Sequence, residues 1–293
     1  ASATGARAYT ATASQGLLFM AEAVYNASGL GLPIVMTIGN RAIGAPINIW
    51  NDQQDSMSMR DAGWIQLYAE TNQEAVDLHI QAVRLAEELS VPVMVCVDGF
   101  ILTHAYERVD IPSQAQVDDF VPPYEPRQVL DPAQPVTIGA MVGPEAFTEV
   151  RYLAHYRQMQ ALWLIPELAE EFAEEFGRPS GGLLHPYRSE DADTLVIALG
   201  SVNGTIKDVV DGLRDEGVSI GSVSITSFRP FPAKRLRETL IKAHRDVLEP
   251  LTFLDLRHDV IHREIERLET QRRSGPVAEN ILRELGSVAD HIG

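Results

Sequence analysis

The sequence predicts an α/β fold built on a mostly parallel sheet, and three observations support it. Two apolar runs, "PIVMTIG" after Leu32 and "VPVMVCVDG" around Cys96, are continuous in Val, Ile and Met, the pattern of strands buried on both faces. Strand-like and helix-like segments alternate along the chain, which is how a parallel sheet acquires helices on both sides. The 293 residues are 45% hydrophobic and 22% charged, enough for two domains with ordinary cores.

The chain opens on "ASATGARAYTATASQGLLFMAEAVYNASG", rich in small residues from the first position, with no initiator Met and no charged signal-peptide region. Within it "ARAYTATA" reads as a strand. "SQGLLFMAEAVYNASG" reads as a helix with Ser14 as candidate N-cap and an end near Gly29. After the strand "PIVMTIG" comes a loop with a short helix. Then "NQEAVDLHIQAVRLAEELS" is an amphipathic helix, with Ala75, Leu78, Ala82 and Leu85 on one face and Asn72 as its cap. The strand "VPVMVCVDG" follows.

From Ile111 the chain turns proline-rich and acidic ("IPSQAQVDDFVPPYEPRQVLDPAQP"), which predicts a connector rather than a folded element. Residues 144–180 read as helical. A second α/β unit then runs through "DTLVIALG" (strand), "SVNGTIKDVVDGLRDEG" (helix), "VSIGSVSITSFRPFP" (strand and turn) and "AKRLRETLIKAH" (helix). "EPLTFLDL" reads as a further strand and the remainder as a charged helical tail. No internal repeat or low-complexity tract interrupts the pattern.

Charge and cysteine usage exclude several classes. A formal net charge of −17 opposes nucleic-acid binding, whose phosphates demand clustered Lys and Arg. The single thiol, Cys96, cannot make a disulfide framework, a zinc site or an iron–sulfur cluster, and the expected compartment is the cytoplasm. No apolar run is long enough to span a membrane.

The segment "NRAIGAPINIWNDQQD" carries the sharpest chemistry. Arg41 stands just past the carboxyl end of a predicted strand, where open α/β sheets hold their ligands. Its planar guanidinium suits bidentate pairing with a planar carboxylate. The alternative is an arginine that pairs with Asp52 or Asp55 and merely orders the loop. A surface loop has no need of Ile43, Ile47, Ile49 and Trp50, so something is expected to cover it. At the strand-to-helix turn of Ser14, Gln15 and Gly16, backbone N–H groups could approach a substrate or anion, or Ser14 could be an ordinary cap.

The remaining candidates read as structural. Gly200 and Gly204 lack the full dinucleotide glycine spacing and fit a tight turn. His79 sits on the amphipathic helix, and His104 lies past a strand end. His258 and His262, four apart, lack the intervening Glu of a metalloprotease helix.

Four stretches together resemble a known family: "GARAYTATASQGLLFM", "LPIVMTIGNRAIGAPINIWNDQQDSMSMRDAGWIQLYAETNQE", "VPVMVCVDGFILTH" and "ALGSVNGTIKDVVDGLRDEGVSIGSVSITSFRPFP". They are similar to the α subunit of the pyruvate:ferredoxin oxidoreductases, thiamine-diphosphate-dependent 2-oxoacid:acceptor enzymes. The resemblance implies a pyrimidine-binding thiamine fold over residues 1–120, with its N-terminal part missing. It implies a connector with helices over 121–190 and a transketolase C-terminal-like α/β domain with a charged tail over 191–293.

By the same resemblance Arg41 binds the 2-oxoacid carboxylate, while the turn of Ser14, Gln15 and Gly16 stays the candidate cofactor contact on its local geometry. Asn48, Trp50, Asn51, Asp52, Gln53 and Asp55 would meet a partner chain over the thiamine site. The Gly-Asp-Gly pattern that holds Mg2+ and the diphosphate does not occur in this sequence. The resemblance therefore assigns Mg2+ and that half of the cofactor to a β subunit, and iron–sulfur clusters to partner subunits such as δ, with no metal on this chain. A γ subunit, ferredoxin and coenzyme A complete the implied partners.

The family's activating glutamate and substrate-binding threonine stand ahead of "GARA", so Ala1 is expected to be a truncation point. The tail departs from the family, with Arg257 and His258 where small or polar residues are usual. A branched-chain 2-oxoacid relative and a non-catalytic scaffold subunit remain as alternative readings.

Overall fold

A computed structural model describes residues 1–139 and 141–243, all within one compact unit, Ala1–His244. The predicted strand "EPLTFLDL", the charged tail, and Arg257, His258 and His262 lie outside the described residues.

The first sheet has five strands in the order β1-β2-β4-β3-β8. Strands β1 (Ala8–Thr12), β2 (Ile34–Asn40), β3 (Ile65–Tyr68) and β4 (Val93–Asp98) are parallel. Every residue of β3 and β4 is buried, which explains the apolar run of β4, while β2, also predicted from its run, alternates buried and half-buried positions beyond Met36. On one face, α4 (Asn72–Leu89) and α6 (Pro144–Phe176) pack Leu78, Leu85, Ile165, Leu168 and Phe172 onto Ile65, Leu67, Val93 and Val95. On the other, α1 (Gln15–Phe19) and α2 (Ala21–Gly29) set Leu17 and Val24 against Met36, Ile38, Trp64, Tyr68, Met94 and Cys96.

The second sheet has the order β5-β7-β6, from β5 (Leu184–Tyr187), β6 (Thr194–Ala198) and β7 (Ile220–Ile225). Helices α7 (Val202–Asp215) and α8 (Ala233–Ala243) complete this part. The chain then returns to the first sheet. β8 (Ser227–Arg229) pairs antiparallel with β3, Gln66 opposite Arg229 and Leu67 opposite Ser227.

Several expectations change. The helix expected from Ser14 is two pieces broken at Met20, and Ser14 makes no side-chain cap; its φ is 50° and its hydroxyl bonds elsewhere. The cap of α4 is Thr71 rather than Asn72, because the Thr71 hydroxyl accepts the Glu74 N–H at 3.1 Å. The proline-rich connector contains a helix, α5 (Gln114–Phe120), closed by a reciprocal capping box between Ser113 and Gln116. Its Phe120 is buried edge-on against Phe172 and Phe176, at 5.6 Å between centroids in both cases. So this segment is part of the core.

A buried ion pair joins α4 to the chain beyond α6. Asp77 is 1% exposed and takes two bonds from Arg178, Nη2 at 2.6 Å and Nε at 3.0 Å. Removing one partner of such a pair leaves the other charge uncompensated. Arg178→Ala is expected to destabilise the fold by about 1–3 kcal/mol in denaturant unfolding, since Asp77 keeps the Gln73 amide and gains access to water.

His79, largely buried, links its Nε2 to the Thr37 hydroxyl and its Nδ1 to the Ala75 carbonyl. Burial pushes its pKa below the ordinary value, so the unfolded chain binds the proton more readily. Its contribution is therefore present above about pH 6.5 and lost as pH falls through the lower folded value. Melting temperature should drop across that window, and His79→Gln should flatten the slope.

Candidate functional site

The carboxyl ends of the four parallel strands converge on a buried polar cluster. β1 leads to Ser14, β2 ends in Asn40 and leads to Arg41, β3 ends in Tyr68, and β4 ends in Asp98. At the centre is Asp55, on the short helix α3 (Gln54–Ser58) and fully buried. Its Oδ2 accepts the Ser14 N–H at 2.8 Å and the Arg41 N–H at 3.4 Å. Its Oδ1 accepts Asn40 Nδ2 at 2.7 Å and the Ser56 N–H at 2.8 Å.

Ser56 extends the cluster. Its hydroxyl meets Asn40 Nδ2 at 2.6 Å and the Tyr68 hydroxyl at 2.8 Å, and its carbonyl accepts Gln66 Nε2 at 2.7 Å. Burial raises the Asp55 pKa, while the donors from Ser14, Asn40, Ser56 and Arg41 oppose that shift. Burial likewise pushes up the Tyr68 hydroxyl and the Cys96 thiol, so both stay protonated and Cys96 is not a nucleophile.

Arg41 opens a loop whose neck is closed by an antiparallel bridge between Arg41 and Asn51. The residue is half-buried, and among the described residues no carboxylate lies within ion-pair distance of its guanidinium. The pairing alternatives are occupied otherwise. Asp52 takes the Gln54 N–H at 2.8 Å and Gln54 Nε2 at 3.0 Å, and Asp55 takes four N–H groups. Arg41 thus keeps its cationic head for something else.

The loop presents apolar side chains to solvent. Ile47, Ile49 and Trp50 are 58%, 46% and 48% exposed. Trp50 leans on Phe100 with centroids 4.8 Å apart, and Phe100 stacks on His104 at 4.9 Å. Asn48 and Asn51 are exposed, and Asp52 and Gln53 are half-buried. Asp55 departs from the expected surface set because it is wholly internal.

The turn expectation also changes. The Ser14 N–H is committed to Asp55 and the Gly16 N–H to the Ala13 carbonyl at 2.9 Å, so neither is free for an anion. The Ser14 hydroxyl instead lies 2.6 Å from the Ala42 carbonyl and 2.5 Å from Gln15 Oε1, with its one proton donated to one of these oxygens at a time. Gly16 is needed for space, since a Cβ there would strike the Thr12 side chain. Sequence reasoning missed Asn40, Ser56, Gln66 and Asp98. The available signal was polar residues ending or interrupting otherwise apolar strands.

Comparison with known proteins adds a family. Residues 1–169 match "Pyruvate flavodoxin/ferredoxin oxidoreductase, thiamine diP-bdg", and residues 192–286 match "Pyruvate:ferredoxin oxidoreductase core domain II". The chain is 50% identical over 250 residues to the pyruvate synthase subunit PorA of Methanosarcina barkeri, covering 85% of this chain and 62% of that one. It is 43% identical over 239 residues to the ketoisovalerate oxidoreductase subunit VorA of Pyrococcus horikoshii, covering 81% and 61%. The chain thus spans less than two thirds of the length of these curated relatives.

A solved 2-oxoglutarate:ferredoxin oxidoreductase from Magnetococcus marinus, with 2-oxoglutarate, coenzyme A and succinyl-CoA bound, shares the fold. Its TM-score is 0.58 at 17% identity, over 81% of this chain and 45% of that chain.

The Asp55 cluster is testable by itself. Both carboxylate oxygens accept N–H groups, so an amide in its place turns one NH2 against donors. Asp55→Asn should cost about 1–3 kcal/mol in unfolding free energy, although it is nearly isosteric. An unchanged denaturation midpoint would contradict this geometry.

Proposed function

The chain belongs to the pyruvate flavodoxin/ferredoxin oxidoreductase family, and on that premise we propose that it is the α-subunit portion of a thiamine-diphosphate-dependent pyruvate:ferredoxin oxidoreductase. The reaction is oxidative decarboxylation of pyruvate to acetyl-CoA and CO2, with electrons delivered to ferredoxin. The observation that carries this reading is the Arg41 guanidinium at the carboxyl edge of the sheet, without a carboxylate partner among the described residues and beside an exposed apolar loop. The 50% identity to a pyruvate synthase subunit supports pyruvate, and the 43% identity to a ketoisovalerate oxidoreductase subunit keeps a branched-chain substrate as the second reading.

The residues present suit one part of the cofactor. Trp50, Phe100 and the loop isoleucines offer an apolar wall fitting an aromatic ring, and Arg41 offers one cation fitting a carboxylate. Among the described residues no three His, Cys, Asp or Glu side chains converge as a metal site. We assign Mg2+ and the diphosphate to a β subunit, and iron–sulfur clusters to partner subunits. Bound thiamine diphosphate supplies nucleophilic attack on the keto carbon and storage of the electrons released by decarboxylation.

The work of this chain is orientation. Arg41 grips the carboxylate through two parallel N–H bonds and fixes the position of the keto carbon. Asn48, Trp50, Asn51, Asp52 and Gln53 face the partner chain and close the site to water. In this reading residues 1–120 form the pyrimidine-binding part, 121–190 the connector with helices, and 191–293 a transketolase C-terminal-like part. The complex is a cytoplasmic hetero-oligomer with β, γ and δ subunits, and coenzyme A and ferredoxin reach it there.

In the assembled enzyme, Arg41→Ala should raise KM for the oxoacid and lower kcat/KM by about 2–4 kcal/mol. Arg41→Lys should recover only part of that loss, because an ammonium lacks the planar fork. Steady-state kinetics with pyruvate and 2-oxoisovalerate side by side decides both the role of Arg41 and the preferred substrate. An unchanged kcat/KM in Arg41→Ala would refute the assignment.

A further inference from the structure

A second buried carboxylate, Asp98 at the end of β4, bonds both the loop after β2 and the amino end of α7. It is 2% exposed, and among the described residues no Lys, Arg or His lies within ion-pair distance of it. Its Oδ1 accepts Gln53 Nε2 at 2.9 Å. Its Oδ2 accepts the Ser201 N–H at 2.7 Å and the Ser201 hydroxyl at 2.6 Å.

Helix α7 explains why the acid is there. Its N-cap, Ser201, makes no side-chain cap within the helix, and its first turn contains no acidic residue. The positive end of the helix is met by Asp98 from the other sheet. The turn is shaped to admit it: Gly200 has φ 75°, and a Cβ at that position would come within 2.7 Å of the Asp98 carboxylate. On the other side, Gln53 stands two residues past the Arg41–Asn51 bridge, at the foot of the loop. Beside Asp98, the Gly99 N–H bonds the Asn40 carbonyl at 2.9 Å, immediately before Arg41.

We propose that Asp98 is a positioning residue that couples the amino end of α7, on the second sheet, to the Arg41–Gln53 loop. One carboxylate serves both attachments, so a change in how α7 seats on it alters the anchor of Gln53 and the direction in which Arg41 is held. Ser201 never touches the loop, yet it bears on oxoacid binding. The kinetic consequence rests on Arg41 as the carboxylate grip; the mechanical coupling does not.

Asp98→Ala would strand three half-buried donors and endanger the fold, so the flanking substitutions carry the test. In the assembled enzyme, Ser201→Ala should raise the oxoacid KM about fivefold, with kcat changed less than about twofold. Gln53→Ala, which acts within the loop itself, should also raise the oxoacid KM, and the KM of the double variant should be no higher than that of Gln53→Ala alone. Where Arg41→Ala itself damages oxoacid binding, a KM unchanged in Ser201→Ala, or effects that multiply in the double variant, overturns the coupling.

A second readout needs no turnover. In the chain bearing Trp163→Phe, acrylamide quenching reports on Trp50, since Trp64 is only 1% exposed. Ser201→Ala should increase the quenching, and that increase should vanish when Gln53→Ala is already present. Quenching that follows this pattern while Arg41→Ala leaves kinetics unchanged removes the Arg41 reading and keeps the coupling. Quenching indifferent to Ser201→Ala overturns the coupling even where Arg41→Ala proves damaging.

Discussion

Parallel strands impose one constraint from which the rest of this site follows. All four chains leave the sheet at the same edge, so backbone N–H groups crowd together where water is excluded and must find acceptors there. Asp55 answers for three of those N–H groups, from Ser14, Arg41 and Ser56, and for the side chain of Asn40. Because it accepts from Ser14 and Arg41 through the same oxygen, the exits of β1 and β2 are held to one point. Arg41 is therefore held at its backbone, while its guanidinium meets no carboxylate among the described residues. That combination suits a residue that must orient a ligand without being consumed by an internal ion pair.

Much of this was legible in the sequence because burial on both faces leaves a plain signature. β2 and β4 are rich in Val, Ile and Met, interrupted at Thr37 and Cys96, and each lies where its run predicts. The amphipathic face of α4, from Ala75 to Leu85, is the face that packs. β3 escaped notice because "WIQLY" carries Gln66, a residue that argues against a core strand until its amide is seen bonding the Ser56 carbonyl. α5 was hidden by composition. Proline and acidic residues surround a segment that packs through Phe120 and holds its first turn by the Ser113–Gln116 box.

The site divides in the same way. Arg41 could be read from its place after a strand, since strand ends are where α/β sheets bind. The surroundings of Asp55 could not, because sequence spacing does not say which acid turns inward. "WNDQQD" offers two acids three apart, and the structure sends Asp52 onto the Gln54 N–H just ahead of α3 and Asp55 into the core. Periodicity is a statement about one element, whereas Ser14, Asn40, Asp55 and Tyr68 belong to four.

The last strand of the first sheet has a consequence for synthesis on the ribosome. β3 is covered on its outer edge by β8, and the pairing of Gln66 with Arg229 joins residues about 160 positions apart. At translation rates of about 5–20 residues per second, the edge of β3 stands bare for on the order of 10 seconds after it emerges. Its N–H and C=O groups are then a template for any passing strand. A nascent chain with this order of elements has reason to engage a chaperone over that interval, and to gain its final edge only when the second sheet has been made.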